Sequence, residues 1–198
     1  MQETHRKTLK MVQLAILAAL VVVLQLVGSS IHVGPVSFSL VLIPIVVGAV
    51  LLGPTAGALL GLVFGAVTVI AGLTGADGFT FILLQYQPVV TVILCLAKAT
   101  LAGLGAGWVF RALEKRQRWV AVILASAAAP IINTGIFVLG ALGLLGETLT
   151  TQFLSDGTGL VYFVVIGCAG VNFLVELGVN LVASPAIYRI WTAITHQK

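Results

Sequence analysis

The chain reads as an all-α integral membrane bundle of six transmembrane helices with both termini cytoplasmic. Three observations lead there. Of the 198 residues, 60% are hydrophobic and only 8% charged, with a mean hydropathy of +1.17. That is too apolar for a domain whose surface must face water. The apolar residues also fall into six blocks. One crossing of ~30 Å of hydrocarbon takes ~20 such residues, so six spans and short loops use the whole chain, 1–198, as a single transmembrane domain. The third observation is charge. If every block crosses, Arg6, Lys7, Lys10, Arg111, Lys115, Arg116, Arg118, Arg189 and Lys198 share one face, and Asp77, Glu147 and Asp156 take the other. Positively charged loops stay cytoplasmic.

The spans follow in order. The polar head 1–10 reads as a short interfacial helix, and the first span covers about 11–27, ending at Gly28-Ser29-Ser30. An outer loop with His32, Gly34 and Pro35 leads to a second span, about 37–52, carrying Pro44. Gly53-Pro54-Thr55 is a tight cytoplasmic turn, because Gly and Pro together punctuate strongly. The third span, about 56–72, repeats glycine at 57, 61 and 65. These share one helix face and let a neighbouring backbone approach, which is how helices associate in lipid. An outer loop at 74–87 mixes Asp77, Gln85, Tyr86 and Gln87 with Phe79 and Phe81. The fourth span, about 88–110, meets the basic stretch 111–118; the fifth covers about 119–145 and the sixth about 161–187. Trp108, Trp119, Tyr188 and Trp191 mark the cytoplasmic interface, and Tyr86 and Tyr162 the outer one, as an aromatic belt does.

Charged groups inside hydrocarbon are costly, so those that occur there are functional candidates. Lys98 in span four and Glu176 in span six are the two, both near mid-membrane by a count of ~1.5 Å per residue. Asn172, Glu176 and Asn180 fall at i, i+4 and i+8, one stripe of a helix. Asn133 and Thr134 lie at similar depth in span five. This polar layer fits either a pocket for a polar solute or a structural Lys98–Glu176 pair with asparagines as interhelical glue. Two titratable groups make a poor chain for a proton or ion relay.

Several functions are excluded. The chain holds no G-x-x-x-x-G-K-[ST] phosphate loop, no histidine inside a span to serve a buried nucleophile, and no acidic cluster for a metal-dependent phosphotransferase. Cys95 and Cys168 lie inside spans as packing residues. No cofactor, metal site, catalytic residue or nucleic-acid surface is expected. The +4 net charge reads instead as anchoring to the cytoplasmic leaflet of the lipid bilayer.

Four segments carry a resemblance. Span one holds Ala15 and Ala19 in AILAA; Ile43-Pro44 precedes LLGPTAGALLG; AKATLAGLGAGWVFRALEK spans 97–115; and NFLVELGVN is followed by SPAIYRI. Over nearly its whole length the chain resembles the substrate-binding S component of an energy-coupling factor (ECF) vitamin transporter. The resemblance implies a prokaryotic cytoplasmic membrane, a transmembrane coupling protein and two cytoplasmic ATPases as partners, and a vitamin captured from outside. Ala15 and Ala19 match the family's Ala-x-x-x-Ala motif and would face the coupling protein. The family's pocket would fall on Gln85, Tyr86, Lys98, Asn133, Asn172 and Glu176, with Phe79 and Phe81 as stacking partners. The alternative of another class is a stand-alone permease or ion-coupled carrier for a polar solute.

Overall fold

In a computed structural model, residues 2–28, 32–33, 36–37, 40–154 and 159–195 are described. The helices are α1 (Gln2–Gly28), α2 (Leu42–Leu52), α3 (Pro54–Leu73), α4 (Gly78–Tyr86), α5 (Pro88–Leu113), α6 (Arg118–Leu144), α7 (Gly146–Phe153), α8 (Leu160–Tyr162) and α9 (Val171–Thr195). A π-helical stretch, Phe163–Gly170, joins α8 to α9 without a break. Among the described residues one ribbon pairs β1 (His32–Val33) with β2 (Val36–Ser37), antiparallel. Among the same residues five helices are long and apolar enough to cross a membrane, and the chain is a multi-pass membrane protein.

Several elements differ from the sequence expectation, each for a local reason. The polar head is continuous with α1 instead of forming a separate helix. α2 is only 11 residues, roughly 16 Å at ~1.5 Å per residue, and Ser37, expected at the start of this span, belongs to β2 instead. The outer loop at 74–87 contains α4, which Asp77 initiates: its carboxylate accepts the Thr80 backbone N–H at 3.1 Å, satisfying a donor the helix leaves orphaned. Residues 146–153, also expected as an outer segment, form α7.

Small residues hold the centre together. Gly57, Gly61 and Gly65 of α3 lie directly on the α5 backbone: a Cβ at Gly61 would collide with the Ala99 carbonyl, one at Gly57 with that of Gly103, and one at Gly65 would lie 2.7 Å from the Cys95 oxygen. The partner face on α5 is itself small every fourth residue, at Cys95, Ala99, Gly103 and Gly107. In lipid, where apolar burial gives no net drive, such close backbone contact is what binds helices.

The polarity of the bundle follows from the ends. The Gly53 turn, in a backbone region open only to glycine (φ 105°, ψ 174°), sits under the Arg111 guanidinium, whose Nη2 would be 2.6 Å from a Cβ there. Arg118 lies 5.3 Å from the Trp191 ring centroid, Trp119 meets Tyr188 edge-on at 5.1 Å, and Phe110 meets Trp191 at 5.8 Å. The α2–α3 turn, the α5–α6 loop and the end of α9 therefore share one basic, aromatic end. Gly53→Ala meets both the forbidden backbone and Arg111, and is expected to destabilise the protein by ~1–3 kcal/mol. Thermal unfolding of the purified variant measures it; an unshifted midpoint would contradict this account of the turn.

Candidate solute-binding site

A partly open cavity lies among α1, α3, α4, α5, α6 and α9, away from the basic end. Its polar lining comes from Gln25, Thr68, Asp77, Thr80, Thr91, Lys98, Asn133, Asn172 and Glu176, and its apolar lining includes Phe64, Phe79, Leu83, Leu94 and Phe137. The space leaves about 60 Å³ for the centres of water-sized molecules.

Helical periodicity brings the α9 residues together. Asn172 and Glu176 are one turn apart, and the Asn172 Nδ2–H donates to Glu176 Oε1 at 3.3 Å. One turn on, the Asn180 Nδ2–H donates to the Glu176 backbone carbonyl at 2.8 Å. Glu176 is only 2% exposed, yet its Oε2 has no hydrogen-bond partner, and neither have Asn133 Oδ1 and Asn172 Oδ1. Asn133, on α6, lies beside the same carboxylate. The π-helical stretch ends at Gly170, two residues before Asn172. Its wider turns set the face that α9 presents, and such bulges recur at functional sites.

Lys98, on α5, is half-buried, and its Nζ lies 5.3 Å from the Phe137 ring centroid. The described residues include no Lys98–Glu176 ion pair; the ammonium rests on an aromatic face, a favourable cation–π arrangement. Phe137 meets Phe79 at 6.2 Å, Phe79 meets Phe153 at 5.3 Å, and Phe153 meets Phe163 at 5.7 Å. This run of rings packs α4, α6, α7 and the π-helical stretch together over one side of the cavity. Gln87 Nε2–H donates to Thr148 Oγ1 at 3.2 Å, tying the α4–α5 corner to α7.

Of the residues singled out by sequence, Lys98, Asn133, Asn172 and Glu176 line the cavity, with Phe79. Gln85 is exposed on α4, Tyr86 is 57% exposed and Phe81 38%, and none of the three lines it. Thr134 borders a smaller pocket beside Lys98 and Asn172. Sequence reasoning missed Gln25, Thr68, Asp77, Thr80 and Thr91. Gln25 carried a usable signal, since it is a polar side chain inside an apolar span; the threonines carried little, because they satisfy themselves on helix carbonyls, as Thr68 does on Phe64 at 3.0 Å.

Ala15 and Ala19 are not among the lining residues and are exposed on α1, among the described residues the least covered of the five long apolar helices. They present a surface of small side chains to the surroundings of the bundle.

No curated protein and no solved structure matches the chain. Residues 9–188 match the family described as ECF transporter, substrate-specific component. With nearly the whole chain matched, the protein belongs to the substrate-specific components of ECF transporters.

Proposed function

We propose that the protein captures a vitamin or related micronutrient from outside a prokaryotic cell, in the cavity between α1, α3–α6 and α9. A transmembrane coupling protein and two cytoplasmic ATPases then complete the importer and drive uptake. The observation that carries this reading is the cavity itself: buried acceptors, a cation and aromatic rings converge inside a bundle that is otherwise apolar. Purifying the protein in detergent, denaturing it and identifying the released molecule by mass spectrometry tests the reading. A stoichiometric small solute is expected, and one released in equal amount from a Glu176→Gln variant would contradict the assigned site.

Six crossings with both ends inside accompany this proposal. Short as it is, α2 runs antiparallel to α1: Leu17 Cδ1 would be 3.4 Å from a Cβ at Gly48, and Val21 packs in one cluster with Ile45. The chain thus runs back through α2 to the Gly53 turn at the basic end, which supports a crossing at this point. The positive-inside tendency puts that end in the cytoplasm.

Ala15 and Ala19 are the proposed contact with the coupling protein, since small exposed residues one turn apart accept a crossing helix closely. Ala15→Trp and Ala19→Trp are each expected to abolish co-purification of the coupling protein while solute binding persists. Unchanged co-purification and uptake in both variants would remove α1 from the docking surface.

A further inference from the structure

We propose that the solute is a small organic cation that turns its N–H groups toward Glu176, Asn133 and Asn172. This rests on the reading of the cavity as the solute site, and it names the chemical class that the site takes.

Three observations of different kinds agree. The first is the set of unpaired atoms. Asn133 Oδ1, Asn172 Oδ1 and Glu176 Oε2 are buried without a partner; the two amide oxygens can only accept, and so does the carboxylate in its ionised form. The Asn172 amide is fixed in this sense, because its Nδ2–H already donates to Glu176 Oε1; reversing it would set oxygen against oxygen. Buried acceptors left unmatched are costly, and a donor-rich group is what satisfies three of them together. A carboxylate in the same place would add acceptors to acceptors.

The second is charge. Among the described lining residues, Asp77 and Glu176 stand against Lys98 alone, two carboxylates to one ammonium. Lys98 rests over Phe137 and supplies no hydrogen bond to the unpaired oxygens. The cavity is therefore left with a formal excess of one negative charge, among buried side chains where charge is screened less than in water. The Phe79 and Phe137 rings add negative π faces that favour a cation.

The third is size. Room of about 60 Å³ for water centres corresponds to roughly five waters, at ~10–15 Å³ each, or ~150 Å³ of liquid volume, about what one six-membered ring needs. A single flat ring lying beside the Phe79–Phe137 pair, with its cationic edge on Glu176, fits these dimensions.

Benzamidine and benzoate make the test, since both carry one flat ring and differ in ending in a donor-rich cation or a carboxylate. Thermal unfolding of the purified full chain in detergent is followed with each probe at millimolar concentration. Benzamidine is expected to raise the midpoint and benzoate to leave it unchanged. Asp77→Asn and Glu176→Gln should each weaken benzamidine about 10-fold or more; asparagine remains a good helix cap, so the first variant keeps α4 even if the second folds poorly. Stabilisation by benzoate equal to or greater than that by benzamidine, or no response to benzamidine, overturns the cation assignment. Coupling-protein association, measured on the same preparation, separates the two levels. Association without a cation preference sinks the solute class alone, whereas a cation preference without association sinks the transporter reading.

Discussion

Leucine in place of Gly61 is expected to leave no folded protein recoverable from the membrane. A Cβ at this position already collides with the Ala99 carbonyl and comes within 3.0 Å of the Thr100 Cα. Both are backbone atoms of a long helix and cannot rotate away as a side chain does. Overpacking a core with side chains costs ~1–3 kcal/mol. Here the larger side chain must push α3 off α5, so the loss belongs with the rare substitutions above ~4 kcal/mol. Extraction yield and size-exclusion profile measure it, with Gly135→Ala as the control, because a Cβ at Gly135 meets nothing within 4 Å. A monodisperse Gly61→Leu protein unfolding at the wild-type midpoint would refute the close-contact account of the α3–α5 pair.

Glu176→Gln and Lys98→Met carry the second large effect, on solute affinity. Hydrogen bonds to a charged partner are worth ~1.5–3 kcal/mol, so Glu176→Gln should bind the native solute roughly 10- to 100-fold more weakly. Lys98→Met removes a like charge from a cation's site and should bind it more tightly. Glu176→Gln keeps the shape and loses the charge; Lys98→Met keeps the stem that packs near Phe137 and loses the ammonium. Titration of the purified variants with the solute released from the wild-type protein reads the effect. Unaltered affinity in both would return these residues to a purely structural role.

Much of this organisation is legible in the sequence because lipid makes unusual demands. The apolar blocks show themselves by length and composition, and Gly57, Gly61 and Gly65 announce a contact face by their spacing. What the spacing does not give is the partner, although the small residues at 95, 99, 103 and 107 on α5 repeat the same interval. Glu176, Lys98, Asn133 and Asn172 stand out because polar groups in hydrocarbon need a reason to be there. Gln85 and Tyr86 follow from depth and polarity within the region to which the family resemblance points. Depth fixes a level in the membrane but not a direction around an axis, and without recognising α4 as a helix no face could be assigned. Its signal was Asp77, a good N-cap just before Gly78-Phe79-Thr80, in a segment short enough to pass for a loop. The π-helical stretch before Asn172 has no comparable signature, and it governs which way the last helix points its polar residues.

The central claim is that this chain captures a solute for an ATP-driven partner complex instead of transporting by itself. Uptake of the co-purifying solute, measured in cells expressing the chain with and without the coupling protein and ATPases, tests it most directly. Uptake only when the partners are present is the predicted result. Uptake that persists in cells lacking every ECF ATPase would contradict it and make the protein a stand-alone carrier.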